Sequence, residues 1–311
     1  MKTANSFLFL FIASGLGFAQ QIPQLSSYMF NQFVYNPAAG GMYESDFNFN
    51  TSARIQWSGV NGAPITSFSW ADYRFNKNSM SVGGSLTYDK IGARSFTDAS
   101  ANYTYIIRLN NKLKLSMGVR AGFTSARFNA DEVSSLFDAN DRLVVSQTST
   151  YPKFGTGFQL YNRTFYVGVG VPDIVSFDRT FNSDKDKSFF AKNRNYIVSG
   201  GYRVKFTDAL GFYPNAKIYY FPGNPARVDI AALLEVTDYF WVGPNIATTG
   251  TAALMAGTFI SSRIRFMYAY EFAYRQTAQS TTTFNVHEVS LLLQLDELVS
   301  KRRKNVIEVN E

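Results

Sequence analysis

The chain has 311 residues, a formal net charge of +7, one histidine and no cysteine, so disulfide staples, Cys/His zinc clusters and a triad with a second imidazole are excluded. Its basic residues are scattered, with Lys301-Arg302-Arg303-Lys304 the only dense run, which argues against a nucleic-acid surface despite a pI near 9.4. Aromatics make up 16% of the chain and 22 glycines are spread through extended segments, a composition that suits strand pairing as the source of the core.

The first residues carry Lys2, the apolar run Phe7 to Ala13 and the small-residue end Gly17-Phe18-Ala19, the three parts of a cleavable export signal. Residues 1–19 are therefore expected to be a leader and the mature chain to begin near Gln20. No later run reaches about 18 apolar residues, so no transmembrane helix is expected. Residues 20–43 form a separate stretch: Tyr28, Asn31, Gln32 and Tyr35 fall at roughly helical spacing, and Asn36-Pro37 ends the pattern because a residue before proline avoids the helical region. This arm either enters a barrel lumen as a plug or covers a periplasmic rim.

From Glu44 to Trp57 the chain alternates strictly. Phe47, Phe49, Ala53, Ile55 and Trp57 occupy one side, with Asn48, Ser52 and Arg54 on the other. A tilted membrane strand needs about 9–11 residues, whereas soluble strands average about 5–6, so the length favours a membrane wall with the aromatic side in lipid and Arg54 inside. Asn61-Gly62 turns the chain and Pro64 starts the next extended segment. The same alternation recurs from Met80 to Asp89, Asp98 to Ile107 and Leu113 to Phe123. It recurs again near Phe154, Thr164, Asn195, Gly211, Arg227, Phe240, Ala252, Ile264 and Phe284, giving about 14 strands in all. Short connections (Asn76 to Asn78, Leu109 to Lys112, Asn162-Arg163, Thr207 to Leu210, Thr237 to Tyr239, Ser261 to Arg263) then fall in one parity class. The two long ones, Phe128 to Tyr151 and Pro172 to Arg194, fall in the other. The expected fold is an all-β transmembrane antiparallel β-barrel of about 14 strands over residues 44–296, with a basic tail at 297–311, long loops outside and both termini in the periplasm.

Several residues resemble those of a known family. Tyr28-Met29-Phe30-Asn31-Gln32 with Asn36-Pro37, then Arg54, Trp57, Gly62 and Pro64, and finally Asp89, Lys90 and Gly92 together resemble the PorP/SprF membrane proteins of the type IX secretion and gliding system of Bacteroidetes. The resemblance implies a non-enzymatic outer-membrane component without a cofactor, seated in outer-membrane lipid and working with the secretion or gliding machinery. It further implies that some members help export or hold a surface adhesin through that adhesin's C-terminal domain. The competing expectation is a porin or transporter for a small or hydrophobic solute.

Residue chemistry adds little catalytic promise. His287 sits in an alternating strand on the side away from the inward set. Asp131, Glu132, Asp138 and Asp141 lack the spacing of a calcium loop. Gly155, Gly157, Gly168 and Gly170 sit within strands and read as close-packing positions, not a phosphate loop. Asp229 and Glu235 face the same way on one strand and are expected to pair with Arg203, Lys205 or Arg265 across the lumen. The long loops carry Phe137 and Leu143, and Phe177, Phe181, Phe189 and Phe190, more apolar side chain than idle loops leave in water. They are expected either to bind an exported partner or to pack on each other over the mouth.

Overall fold

The computed structural model describes residues 24–43, 45–75, 79–132, 146–174, 177–180, 188–192, 194–236, 239–275 and 285–295, with 131, 177–180 and 188–192 in backbone alone. The leader, the basic tail, and Phe137, Leu143, Phe181, Asp138 and Asp141 lie outside these residues.

After the arm, the wall strands follow in order: β1 Phe47–Gln56, β2 Ile65–Phe75, β3 Met80–Ile91, β4 Arg94–Arg108, β5 Lys114–Phe128, β6 Gln147–Tyr161 and β7 Phe165–Asp173. A small hairpin of β8 Phe177–Thr180 and β9 Ser188–Lys192 stands apart from the wall. The wall resumes with β10 Asn195–Tyr202, β11 Val204–Thr207, β12 Leu210–Tyr220, β13 Arg227–Val236, β14 Phe240–Ala247, β15 Thr251–Ser261, β16 Ile264–Ala273 and β17 Val286–Leu295. Every neighbouring pair is antiparallel, β1 pairs with β17, and β10 bridges β7 and β12, so the sheet closes on itself. Because β10 and β11 are one strand broken at Arg203, the wall has 14 strands. Closure leaves no sheet edge, which a bilayer requires because it offers no water to unpaired backbone groups.

Alternation decides which side each residue takes. On β1, Asn48, Asn50, Ser52 and Arg54 are buried inside, while Ile55 is 43% exposed on the outer face. The same division runs round the wall, with Val119, Phe158, Ile230 and Leu254 all outside. The six short connections gather at one end of the barrel and the long ones at the other, called here the turn end and the loop end.

Three strand limits differ from the sequence reading. β4, β5 and β6 each run 15 residues, so Asp98 and Phe123 do not mark strand ends and Tyr151 belongs to β6, not to a loop. The extra length passes beyond what a membrane strand needs, and there the polarity reverses. Ser95, Thr97, Ser125 and Arg127 face outward, while Phe96, Phe128, Tyr151 and Ala126 pack together inside. Reading hydrophobic alternation outward from the middle stops where the two faces exchange character. The connection between β7 and β10 also contains the β8/β9 hairpin, which carries Phe177, Phe189 and Phe190 on its backbone.

Depth separates the outward positions. Ile55 lies next to the loop end of β1, where charge is tolerated at about 0–1 kcal/mol, whereas Val119, in the middle of the outer band of β5, is the midplane position. Val119→Arg is expected to cost about 2–4 kcal/mol and Ile55→Arg much less. Urea titration of the barrel in vesicles checks this, and equal losses at the two positions would contradict the assigned depths.

Candidate functional site

The arm fills the lumen. It comprises 3-10 turns at Tyr28–Phe30 and Pro37–Ala39 flanking one helical turn, α1, at Gln32–Tyr35. Asn36 ends α1 in an extended conformation, as its place before Pro37 demands, and its side-chain oxygen accepts from the Ala38 N–H at 2.9 Å, capping the following turn. Leu25, Tyr28, Met29, Phe33, Val34 and Tyr35 are each 6% exposed or less. Burying a side chain of this size contributes roughly 1.5–3 kcal/mol. Phe33 and Tyr43 stack on Trp70 at centroid distances of 5.2 and 5.7 Å, and Phe30 lies 4.7 Å from Trp241 on the opposite wall.

Polar groups fix the arm's register. Near the loop end, Arg54 bridges Glu271 at 3.0 Å and Glu288 at 3.2 Å. The same carboxylates take up the arm: Glu288 accepts from the Ser26 N–H at 2.8 Å and from the Ser27 hydroxyl, and Glu271 accepts from the Ser26 hydroxyl at 2.6 Å. Arg54 and Glu288 are also register partners across the seam between β1 and β17. Beside them, Asp229 pairs with Lys217 at 3.3 Å and Arg227 at 2.8 Å, and the Lys217 ammonium lies 4.8 Å from the Tyr28 ring and 4.5 Å from the Tyr35 ring. Burial pushes the Tyr28 and Tyr35 phenols well above their ordinary range, so both remain protonated. Midway down, Arg120 donates to the Val34 carbonyl at 3.0 Å and to the Phe33 carbonyl.

Glycines make the other half of the seat. A carbon added at Gly118 would strike the Pro37 carbonyl, one at Gly157 would strike Asn36, and one at Gly170 would strike the Tyr35 carbonyl. In that space the Asn36 amide donates to the Phe158 carbonyl at 3.1 Å, while Asn102 and Thr104 donate to the Pro37 carbonyl at 2.8 and 2.9 Å. The strand glycines are close-packing positions, and what they admit is the arm's backbone.

The motif residues from the sequence split into two groups. Tyr28, Asn31, Gln32, Asn36, Pro37 and Arg54 meet in the lumen, where Asn31 accepts from the Trp70 indole at 3.3 Å and Gln32 donates to the Met29 carbonyl at 3.3 Å. Trp57, Gly62, Pro64, Asp89, Lys90 and Gly92 meet at the loop end. Gly92 N–H donates to the Gly62 carbonyl at 3.0 Å, Gln56 N–H to the Pro64 carbonyl at 2.9 Å, and the Thr66 hydroxyl to Asp89 at 2.6 Å. Trp57 adopts φ 54°, a left-handed turn rare for a bulky residue. Glu235 pairs with Arg203 at 3.0 Å as expected, but Asp229 takes Lys217 and Arg227 instead of Arg203, Lys205 or Arg265. Alternation gave the facing side, and the register chose the partner. The sequence reading passed over Glu271 and Lys217, whose only signal was inward strand parity, and over Ser26 and Ser27, which lie on the arm and carried none. His287 lies on the outer face, 2.7 Å from the Tyr268 hydroxyl, away from every acid of the lumen.

An apolar outer face, a closed antiparallel wall and a polar, arm-filled interior define an outer-membrane β-barrel protein. The chain belongs to the PorP/SprF family of type IX secretion system membrane proteins, whose model matches residues 17–293. No curated protein matches it. Among solved structures it is similar in fold to the Ralstonia pickettii toluene transporter TbuX, with 13% identity, a TM-score of 0.51, and coverage of 87% of this chain and 94% of that one. It is likewise similar to the CymD monoaromatic hydrocarbon channel, with 12% identity, a TM-score of 0.52 and coverage of 91% and 96%. At such identity these likenesses concern the fold alone.

Proposed function

We propose that this barrel is a non-enzymatic part of type IX secretion that helps export or anchor one surface adhesin through the adhesin's C-terminal domain, held at the loop end. The observation that carries this reading, beside family membership, is the seated arm. Residues 24–43 occupy the lumen and are tied to both halves of the wall, which leaves the loop end as the surface for work. The apolar loop residues Phe137, Leu143, Phe177, Phe181, Phe189 and Phe190 are assigned to that contact. A channel for a small or hydrophobic solute, as the names of TbuX and CymD describe those proteins, would require the arm to leave.

In this reading residues 1–19 are the leader, 20–43 the plug, 44–296 the barrel and 297–311 a periplasmic tail, with the loop end outside; because Ser26 and Ser27 bond Glu271 and Glu288 near that end, the start of the arm is assigned to the outer mouth and not to the periplasm that the sequence reading expected. Protease added to intact cells is then expected to spare the Lys301 to Lys304 tail, and cleavage there without permeabilisation would reverse the topology. Deleting residues 175–190 is expected to leave a heat-modifiable, inserted barrel and to release one surface protein into the medium. An unaltered surface-protein profile with the shortened barrel in place would remove the loop from the anchoring role.

A further inference from the structure

Most of the outer wall presents large side chains to lipid, such as Val119, Phe158, Ile230, Ile246 and Leu254. Over β1 to β5 it sinks instead into a depression of about 630 Å³, floored by Ala71, Gly84, Ala99 and Ala101 and rimmed by Leu86 and Phe123. The strand register fixes what lies above it. Leu86, Ala99 and Phe123 form one row; Tyr88, Thr97, Ser125 and Thr150 form the next row toward the loop end; and Lys90, Ser95, Arg127 and Thr148 form the row after that. Lys90 and Arg127 lie two strands apart, about 10 Å, and roughly 13 Å along the strands from the upper rim of the depression. Lys90 pairs with Glu132 at 2.9 Å and Arg127 is exposed, so among the described side chains the row counts two cations to one carboxylate.

From groove to rim the order is hydrocarbon, then hydroxyl, then cation, which is the order of an anionic amphiphile from chain to headgroup. We propose that this face holds one phosphorylated glycolipid of the outer leaflet, with an acyl chain in the Ala71–Ala101 depression and a phosphate against Arg127 and Lys90. Concavity without charge would take any chain, and charge without concavity any phosphate. Their alignment on one strip selects a molecule with both, and the forked guanidinium of Arg127 suits a phosphate. The choice of glycolipid over phospholipid rests on the outward loop end proposed above.

The test is native mass spectrometry of the delipidated full-length barrel in mild detergent with bisphosphorylated lipid A, its dephosphorylated form, or phosphatidylglycerol. One retained lipid A is expected. Filling the groove by Ala101→Phe, reversing the charge by Arg127→Glu, or removing the phosphates should each lower retention about tenfold, the loss of one charge-assisted contact or its packing equivalent. Unchanged heat-modifiability of both variants reports that the wall is intact, and a groove-lining Ala101→Ser variant that binds as the wild type covers the case where phenylalanine impairs folding. Equal retention by wild type and charge variant, a preference for phosphatidylglycerol, or absence of binding would each overturn the site. The measurement does not depend on surface-protein release, so the lipid site and the anchoring role fail separately.

Discussion

Arg54→Ala is expected to lower the stability of the barrel by about 3–5 kcal/mol, the cost of leaving buried charges without their partner. Arg54 is 4% exposed and is the cation shared by Glu271 and Glu288, themselves 6% and 1% exposed. Removing it sets two carboxylates against each other beside the Ser26 and Ser27 contacts, so the arm loosens as the wall weakens. A triple variant that adds Glu271→Gln and Glu288→Gln is expected to recover most of the loss, since amides keep hydrogen-bonding capacity without the charge. Thermal scanning in detergent together with limited proteolysis of the arm measures both effects. A wild-type midpoint in the single variant would show that the carboxylates are hydrated instead of sealed.

Gly157→Leu is expected to displace the arm locally, at Asn36. Its side chain would occupy the space of the Asn36 amide, against the Val169 carbonyl, and overpacking of this kind costs about 1–3 kcal/mol. The wall itself loses no strand pairing, and the buried side chains of residues 25–35 outweigh the overpacking, so the lower-energy outcome is an arm that stays in the lumen with its Asn36–Ala38 turn displaced. Thermal scanning should then show a midpoint lowered in proportion to that cost, with faster cleavage near residues 36–39, while in planar bilayers both wild type and variant pass little current. Gly200→Ala is the control, because an added carbon there meets wall atoms only at 3.3 Å or beyond, on the outer face. Discrete openings in the Gly157→Leu variant alone would mean that the arm leaves the lumen instead of yielding locally.

The wall was legible in the sequence because one physical fact, two-residue periodicity in a chain that must bury its backbone groups from lipid, acts on every strand. Phe47 to Gln56 gives the inner and outer faces without any knowledge of neighbours. What lies inside the barrel was not legible to the same degree. The seat of Ser27 on Glu288 joins positions 261 residues apart, and no local pattern distinguishes that seat from a rim contact. Asp229 shows the same limit at shorter range: its inward side was evident, but Lys217 becomes its neighbour through the pairing of β12 with β13. Beyond the membrane the rule itself changes sign. Phe96 turns inward and Thr97 outward at the top of β4, so a reader expecting apolar residues outside ends the strand too soon.

The ion pair across the seam also orders events in time. Arg54 stands on the first wall strand and Glu288 on the last, and the hydrogen bonds of Ser26 and Ser27 to that carboxylate span 262 and 261 positions. Closing loops of that length is slow and its entropy must be met before any contact rewards it. The arm, first to leave the export channel, therefore finds its full set of partners only when β17 arrives. Until then the chain carries two open sheet edges and a tethered apolar segment at once, the combination most exposed to wrong pairing and to capture by holding factors. The last of the arm's contacts and the closing strand pair therefore share one requirement, the arrival of β17.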